Sequence, residues 1–481
     1  MADGLLAARQ ALGDRPAWLV GGALRDRALG RVTMDLDVVV DGDPGEAARA
    51  IAKAAGRAAC FALSEEFGAW RVSARDSSWQ VDVEPLRGGS LQADLALRDF
   101  TVNAIAEPIG GGEPIDPLGG LADLAAGRLR MAGPGAFADD PLRVLRLVRV
   151  AVELDLRPDP QTLARASEQA AGLARCSPER VFTELRRIIA SRAALRGIEL
   201  MDELGATAIV LPELEALRGV EQNRFHHADV HGHTLEVLAR TIELDEFVAT
   251  GTGEAQLGDF LGEHRPAVAA LLDEPLADGM TRGEALRWGA LLHDAAKPLT
   301  RGVRPGDGRV TFIGHDERGA RLARDLLGRL RASERLRSHV SALVRHHLRL
   351  GFLVHEPQPL SRRTAYSYLH ACTPVEVDVT LLSVADRLAT RGDRAEPAIE
   401  AHLAVAQGIL PDALRWRAEG PQRPLLRGDE LGAELRIAPG PAIGALLDEL
   451  AEAQYAQEVT TREQALAYLR ARAGDVGGGS Q

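Results

Sequence analysis

Two stretches decide the fold at the start of the chain: residues 17–26, AWLVGGALRD, and residues 34–40, MDLDVVV. The first reads as a β-run, a turn at Gly21–Gly22 and the start of a helix, which turns backbone N–H groups and a positive helix end toward a phosphate. In the second, strand alternation places Asp35 and Asp37 on one face while Leu36 and Val38 point into the core. Working outward, the β-rich runs AWRVSA and WQVDVEPL and the helical EAARAIAKAA make the first part of the chain, residues 1–135, an α+β domain.

The chemistry follows from the same residues. Two carboxylates on one strand face converge on a point, and Mg²⁺, an octahedral oxygen-loving ion, is commonly held by one or two carboxylates together with nucleotide phosphates. Asp82, in WQVDVEPL, is a third strand carboxylate and completes a two-metal arrangement for activating a hydroxyl and stabilising a leaving pyrophosphate. A glycine pair alone reads as a plain turn, and Asp-x-Asp alone as a solvated edge strand. The ordered series of glycine pair, paired aspartates and strand carboxylate singles out a metal–triphosphate site.

At 481 residues the chain has room for about three domains, each with its own core. No apolar run approaches the roughly 20 residues of a membrane span, and MADGLLAARQ lacks the basic and apolar regions of an export signal. Cys60, Cys176 and Cys372 are too sparse for a disulfide framework, which fits a reducing cytoplasm. The net charge of −12 argues against indiscriminate nucleic-acid binding, so local charge must decide. Residues 136–200 carry eleven Arg against nine Asp plus Glu, and LRVLRLVRVAVEL and PERVFTELRRIIA show helical periodicity; this helical segment is the candidate RNA-facing surface. Most of the thirteen histidines fall between residues 220 and 400, marking a separate chemical unit. Within it, residues 241–280 hold nine acidic residues and one Arg, and are expected to form an exposed insertion.

The motifs VGGALRD, LGR, DLDVVV and LRDFTVNAIA, continued by ADDPLRVLRLVR, SPERVFTEL, PLLRGDELGAEL and IAPGPAIGALLDELAEAQ, resemble the class II tRNA nucleotidyltransferases and bacterial poly(A) polymerases over nearly the whole chain. The resemblance implies a template-independent enzyme that adds C and A residues to the tRNA 3′ end from CTP and ATP, with Mg²⁺ in the transfer site. Asp35 and Asp37 would be the metal-binding catalytic carboxylates and Asp82 would match the family's strand carboxylate. Gly21, Gly22 and Arg25 would handle the triphosphate, and Arg98, Asp99 and Asn103 would lie beside the ribose. The base would be read by the acidic-acidic-x-x-Arg motif, matched by Asp139, Asp140 and Arg143: a carboxylate accepts from an exocyclic amine while a guanidinium donates to a ring acceptor. Arg143, Arg146 and Arg149 recur every third residue along one side of a helix, in reach of base and phosphates in turn. Only EPLRGGSLQADLAL separates the Asp82 strand from RDFTVNA. So short a connection resembles the enzymes that add only CC, leaving CCA addition, CC addition and poly(A) tailing as alternatives.

The histidine-rich unit, with HGHTLEVL, LLHDAAKPLT, FIGHDERGA, LVRHHL and LLSVADR, resembles an HD-superfamily phosphohydrolase domain. The match implies one metal site of His233, His293, Asp294 and Asp386, and a second completed by His315 with His346 or His347, of which His346 is preferred. Imidazole with carboxylate suits Mn, Fe, Co or Ni. Lys297 would contact a phosphate or pair with an acid. His226, His227, His231, His264 and His370 carry no assignment. The resulting plan is a nucleotidyltransferase head (1–135), an all-α neck for nucleotide and RNA (136–219), a helical HD unit (220–400), a helical tail (401–472) and a disordered end (473–481). The readings from other function classes are a phosphohydrolase, or an RNA-binding protein, with an inert head; the intact Asp35, Asp37, Asp140 and Arg143 count against both.

Overall fold

The computed structural model describes residues 2–56, 58–64, 68–222, 228–392 and 395–477, so that His226 and His227 lie outside the described residues. The chain divides into two compact units, Met1–Leu211 and Pro212–Gln481.

The first unit is built on a six-stranded sheet of β1 (Ala17–Val20), β2 (Asp35–Val40), β3 (Ala59–Ser64), β4 (Ala69–Ser73), β5 (Gln80–Pro85) and β6 (Ala106–Pro108). Its strand order is β3-β4-β5-β2-β1-β6. β2 and β5 pair in parallel, and the other neighbours are antiparallel. Helices α1 (Ala2–Leu12), α2 (Gly22–Ala28), α3 (Pro44–Ala54), α4 (Leu91–Ala96) and α5 (Gly120–Ala125) complete the α+β head. α3 starts where the sequence offers Asp43 as a cap, whose carboxylate accepts from the Glu46 N–H, followed by Pro44 in the first turn.

The alternation read from β2 holds. Leu36, Val38 and Val40 pack with Leu19, Val81, Val83 and the α1 and α3 residues Ala8, Leu12, Ala48 and Ile51 in one core. Val39 belongs to a second core with Val20, Leu91 and Leu95 on the other side. Asp35 and Asp37 share the Val39 side, so the core that orders the strand also fixes which way its carboxylates face.

Helices follow: α6 (Ala136–Asp139), α7 (Arg143–Leu154), α8 (Pro160–Gln169), α9 (Pro178–Ala190) and α10 (Ala194–Glu203). Val144, Leu147, Val148 and Ala151 of α7, and Val181, Leu185, Ile188 and Ile189 of α9, are buried at the three- and four-residue spacing seen in the sequence. Head and neck therefore form one compact unit, and residues 212–219, expected in the neck, belong to the second unit.

The second unit is helical. Helices Val230–Thr250, Arg282–Leu292, His315–Arg329, Glu334–His346 and Glu376–Ala389 carry the histidine-rich motifs. The acidic segment 241–280 is not an exposed insertion: it forms the end of the first of these helices and helices Ala255–Leu261 and Arg265–Leu272. Phe247, Leu257, Phe260, Leu261, Val268 and Leu271 are buried, so its acids line the outer side of packed helices. The expected break at residue 401 is also absent, because one helix runs from Ala395 to Glu419. Beyond it, Leu426, Leu431, Ile443, Leu446, Leu450 and Leu469 form a separate small core. The last helix reaches Gly477, past the expected start of the disordered end at 473, and residues 478–481 lie outside the described residues.

Candidate active site

In the first unit a cavity of about 460 Å³ opens beside the β1–α2 turn and the carboxylate end of β2. Gly21 has φ of 75° and ψ of −137°, a conformation that favours glycine. A Cβ there would lie 3.2 Å from Arg98 Nη1 and 3.3 Å from Asp37 Oδ2, so Gly21 also lets the turn approach the charged floor. Gly22, Asp35 and Asp37 line the cavity with it. Neither Asp35 nor Asp37 accepts a side-chain hydrogen bond or sits in an ion pair among the described residues, leaving hard oxygen donors committed to nothing else, a set that fits a divalent cation such as Mg²⁺. Burial pushes the Asp37 carboxyl up to about 6, with the Arg98 guanidinium opposing and Glu84 and Asp82 adding to the rise.

The residues expected beside the ribose form a continuous network. Arg25 Nη1 donates to Asn103 Oδ1 at 2.5 Å, and Arg25 is held on its other edge by Asp26. Asn103 Nδ2 donates to Asp99 Oδ1 at 3.0 Å, and Arg146 Nε lies 2.7 Å from Asp99 Oδ2. Arg98 donates to Asp94, a buried carboxylate that also takes the Arg87 backbone N–H and Nε.

Asp140, Arg143, Arg146 and Arg149 all line the cavity. Asp140 is held by Arg180 Nη2 at 2.7 Å. Arg143 donates to the carbonyl oxygens of Ala136, Leu97 and Arg98, tying the start of α7 to the residues around Arg98. Arg149 differs from the expectation of a phosphate contact: it is buried between Glu184, at 2.6 Å, and Glu153, at 2.9 Å, and its charge is already matched twice. Asp82 differs too. It stands opposite Asp37 in the β2–β5 register, but both its oxygens accept from Arg71 at 2.7 Å, and it is not in the cavity wall. Sequence reading passed over Glu84, Arg87 and Arg187, which do line the cavity, and Arg180, quoted in SPERVFTEL without a role. Glu84 had a usable signal, since it alternates with Asp82 on the same strand face.

The second unit gathers a histidine cluster around Asp294. His293 Nε2 lies 3.1 Å and His233 Nε2 3.8 Å from Asp294 Oδ2, while His315 Nε2 is 3.3 Å and His347 Nε2 4.0 Å from Oδ1. His233, His293 and Asp294 form one set of donor atoms able to hold a metal, and Asp294, His315 and His347 a second, with Asp294 shared. Asp386 joins through His233, 3.0 Å away. The Nδ1 atoms of His293, His315 and His347 face the carbonyl oxygens of Ala290, Phe312 and Val344, which directs each Nε2 inward, the orientation a metal ligand needs. His293 Nε2 is buried and faces Asp294 Oδ2, a member of the same donor set. Burial, with His293 and His315 nearby, pushes His347 down to about 4, so it is neutral near pH 7. Burial pushes Asp294 upward, but His293 and Lys297 outweigh it and hold the carboxyl well below the usual range. Lys297 pairs with the acid, at 2.6 Å from Asp294 Oδ2. His346 is corrected to His347: the helix turn between adjacent residues carries His346 away from the cluster, and its Nδ1 accepts from Arg349.

Three family matches cover these regions: the Poly A polymerase head domain over residues 17–130, the "Probable RNA and SrmB- binding site of polymerase A" over 155–217, and the HD domain over 231–391. An A-adding tRNA nucleotidyltransferase of Deinococcus radiodurans is 36% identical over 460 residues, covering 94% of this chain and 95% of that protein. The chain belongs to the tRNA nucleotidyltransferase family. A CC-adding tRNA nucleotidyltransferase of Thermus thermophilus is 33% identical, covering 95% of this chain and 93% of that protein. The fold is that of a solved CCA-adding enzyme in its apo form, with a TM-score of 0.62 over 98% of this chain and 93% of that one at 19% identity. Like its family the chain is a nucleotidyltransferase with an HD domain, and no described helix is long and apolar enough to cross a membrane.

Two measurements check this geometry. Because the Asp37 carboxyl is raised in the folded protein, its ionisation costs stability progressively from about pH 4 to about pH 6 and constantly above. In chelator-treated protein Asp37→Asn therefore gains up to about 3 kcal/mol over the parent, more at pH 7.5 than at pH 5. Thermal melts showing a constant or reversed difference would contradict it. In metal titrations followed by calorimetry, His347→Ala weakens Mn²⁺ binding by roughly ten-fold or more, whereas His346→Ala leaves it unchanged; the opposite ranking would restore His346.

Proposed function

We propose that the chain is a template-independent tRNA nucleotidyltransferase that extends tRNA 3′ ends with C and A from CTP and ATP, using Asp35 and Asp37 as its metal-holding carboxylates. The observation that carries this reading is the pair of uncommitted carboxylates under the Gly21–Gly22 turn, joined in one cavity with the Asp140 and Arg143 side chains. Asp35 and Asp37 would hold a divalent cation, Mg²⁺ being the fitting ion, which would supply positive charge against the phosphates. The chain's own groups do the rest. Arg25, pinned by Asn103 and Asp26, presents a guanidinium edge to the triphosphate. Asp99, fixed by Asn103 and Arg146, stands where a ribose hydroxyl would meet it. The 3′ hydroxyl oxygen bonds to the α-phosphorus, the α–β phosphoanhydride bond breaks, pyrophosphate leaves, and the hydroxyl proton passes to a carboxylate of the pair. Asp140 and Arg143 read the base edge: the carboxylate accepts from the amine that cytosine and adenine share, and the guanidinium donates to the ring nitrogen beside it.

A second reading, addition of only one base type, is favoured by one observation. The connection 86–90 is tied down: Arg87 donates through backbone and side chain to the buried Asp94, Arg98 grips the same carboxylate, and Ser90 caps α4. A connection so anchored has little freedom to shift the base-reading pair between cytosine and adenine.

In the second unit, the sets meeting at Asp294 support a phosphohydrolase site. Mn, Co, Ni or Fe held there would activate water against a phosphoester. Lys297, already drawn to Asp294, would balance charge beside it.

Two experiments test these readings. Asp35→Ala or Asp37→Ala lowers nucleotide incorporation by roughly 10²-fold or more while leaving tRNA retention in gel shifts intact; full incorporation by either would remove the carboxylates from the chemistry. tRNA transcripts ending before CCA, after C and after CC, each with labelled CTP or ATP, read the specificity directly. Addition of CMP to the first two and AMP to the third marks the complete enzyme. CMP without AMP marks the single-base reading, and long AMP runs on any RNA would replace both with poly(A) tailing.

A further inference from the structure

We propose that Glu84, and not Asp82, is the third carboxylate of the transfer site, and that the Arg71–Asp82 pair is a structural ion pair that braces the neighbouring strands. The proposal rests on the assignment of Asp35 and Asp37 as metal-holding groups.

β4, β5 and β2 lie side by side, with Arg71 opposite Asp82 and Asp82 opposite Asp37. Val81 and Val83 are buried in the core that receives Leu36 and Val38, so Asp82 and Glu84 emerge on the face that carries Asp37. On that face the two acids have different fates. Arg71 Nε and Nη2 each lie 2.7 Å from a separate oxygen of Asp82, a two-pronged charge-assisted contact among the strongest a side chain makes. Only 21% of the Asp82 side chain is exposed, and each of its oxygens already has one lone pair engaged by Arg71. Glu84 sits one alternation further along β5, in the cavity wall with Asp35 and Asp37. Its nearest cation, Arg87, is 4.0 Å away, and 39% of its side chain is exposed. A Glu also carries one more methylene than an Asp, which gives it the reach to approach Asp37 from the next register position. The ion pair has a separate use: by matching the charge of Asp82, Arg71 allows two aspartates to stand in adjacent register on parallel strands without forcing them apart.

The test measures Mn²⁺ bound in the presence of CTP by electron paramagnetic resonance. It uses the full chain carrying Asp294→Ala, so that the signal reports the first unit alone. Glu84→Gln is expected to weaken Mn²⁺ binding roughly ten-fold or more, with an unchanged circular dichroism spectrum and melting temperature. The Arg71→Gln, Asp82→Asn double variant, which removes both charges together, is expected to melt earlier yet hold Mn²⁺ within about two-fold of the parent, because no ligand is lost. Normal Mn²⁺ binding by Glu84→Gln, or a loss in the double variant as large as that of Asp37→Asn, would overturn the proposal. Normal binding by Asp37→Asn would overturn the carboxylate assignment beneath it, a failure distinct from that of Glu84.

Discussion

The parallel pairing of β2 with β5 is the constraint on which the transfer site depends. It joins two strands that are distant in sequence and sets Asp37 opposite Asp82. A slip of one residue would move Leu36, Val38 and Val40 from the core to the cavity and the aspartates into the core. Each of those apolar side chains gains about 1.5–3 kcal/mol by burial, so the register is protected by several contributions at once. The same packing lets the strand tolerate a carboxyl driven up to about 6 at Asp37. The electrostatic cost sits on one side of the sheet and the hydrophobic gain on the other.

Around that strand the chain repeatedly matches guanidinium with carboxylate: Arg71 with Asp82, Arg146 with Asp99, Arg149 with Glu184, Arg180 with Asp140. Isolated exposed pairs of this kind contribute little, but a buried one is costly to break because it strands the partner's charge. Arg149 and Asp82 are therefore spoken for, whereas Asp35 and Asp37 have no such partner among the described residues and Glu84 has only Arg87, 4.0 Å away. The histidine cluster achieves the same separation differently, by giving each Nδ1 a carbonyl oxygen and leaving each Nε2 for the centre.

What the sequence made legible was local in origin. The β2 alternation, the helices around Arg143 and Pro178, and the coming together of His233, His293 and Asp294 all follow from periodicity or from motifs in order. What it hid was decided elsewhere. Adjacent His346 and His347 differ by about 100° around a helix, and only packing of that helix shows which one faces inward. The capture of Asp82 by Arg71 is made across strands, and no spacing along the chain announces it. In the segment 241–280 acids dominate the composition, but its fate is set by Leu257, Phe260 and Leu261 on one helix and Val268, Leu271 and Leu272 on the next, each set at helical spacing. Glu84 shares the Asp82 face by the alternation of the strand, so its place in the cavity wall was legible in the sequence.

The Lys297 contact with Asp294 has a further consequence for the chemistry of the whole molecule. Only Lys53 and Lys297 are lysines, and Lys297 is buried in an ion pair. A reagent that acylates primary amines therefore meets a single exposed lysine, Lys53. That residue lies on α3, which packs against the side of the sheet turned away from Asp35 and Asp37. An enzyme rich in cations thus offers, apart from its amino terminus, one address for a dye, a tether or a surface linkage, and it is placed where the carboxylates of the transfer site are shielded from it by the thickness of the sheet.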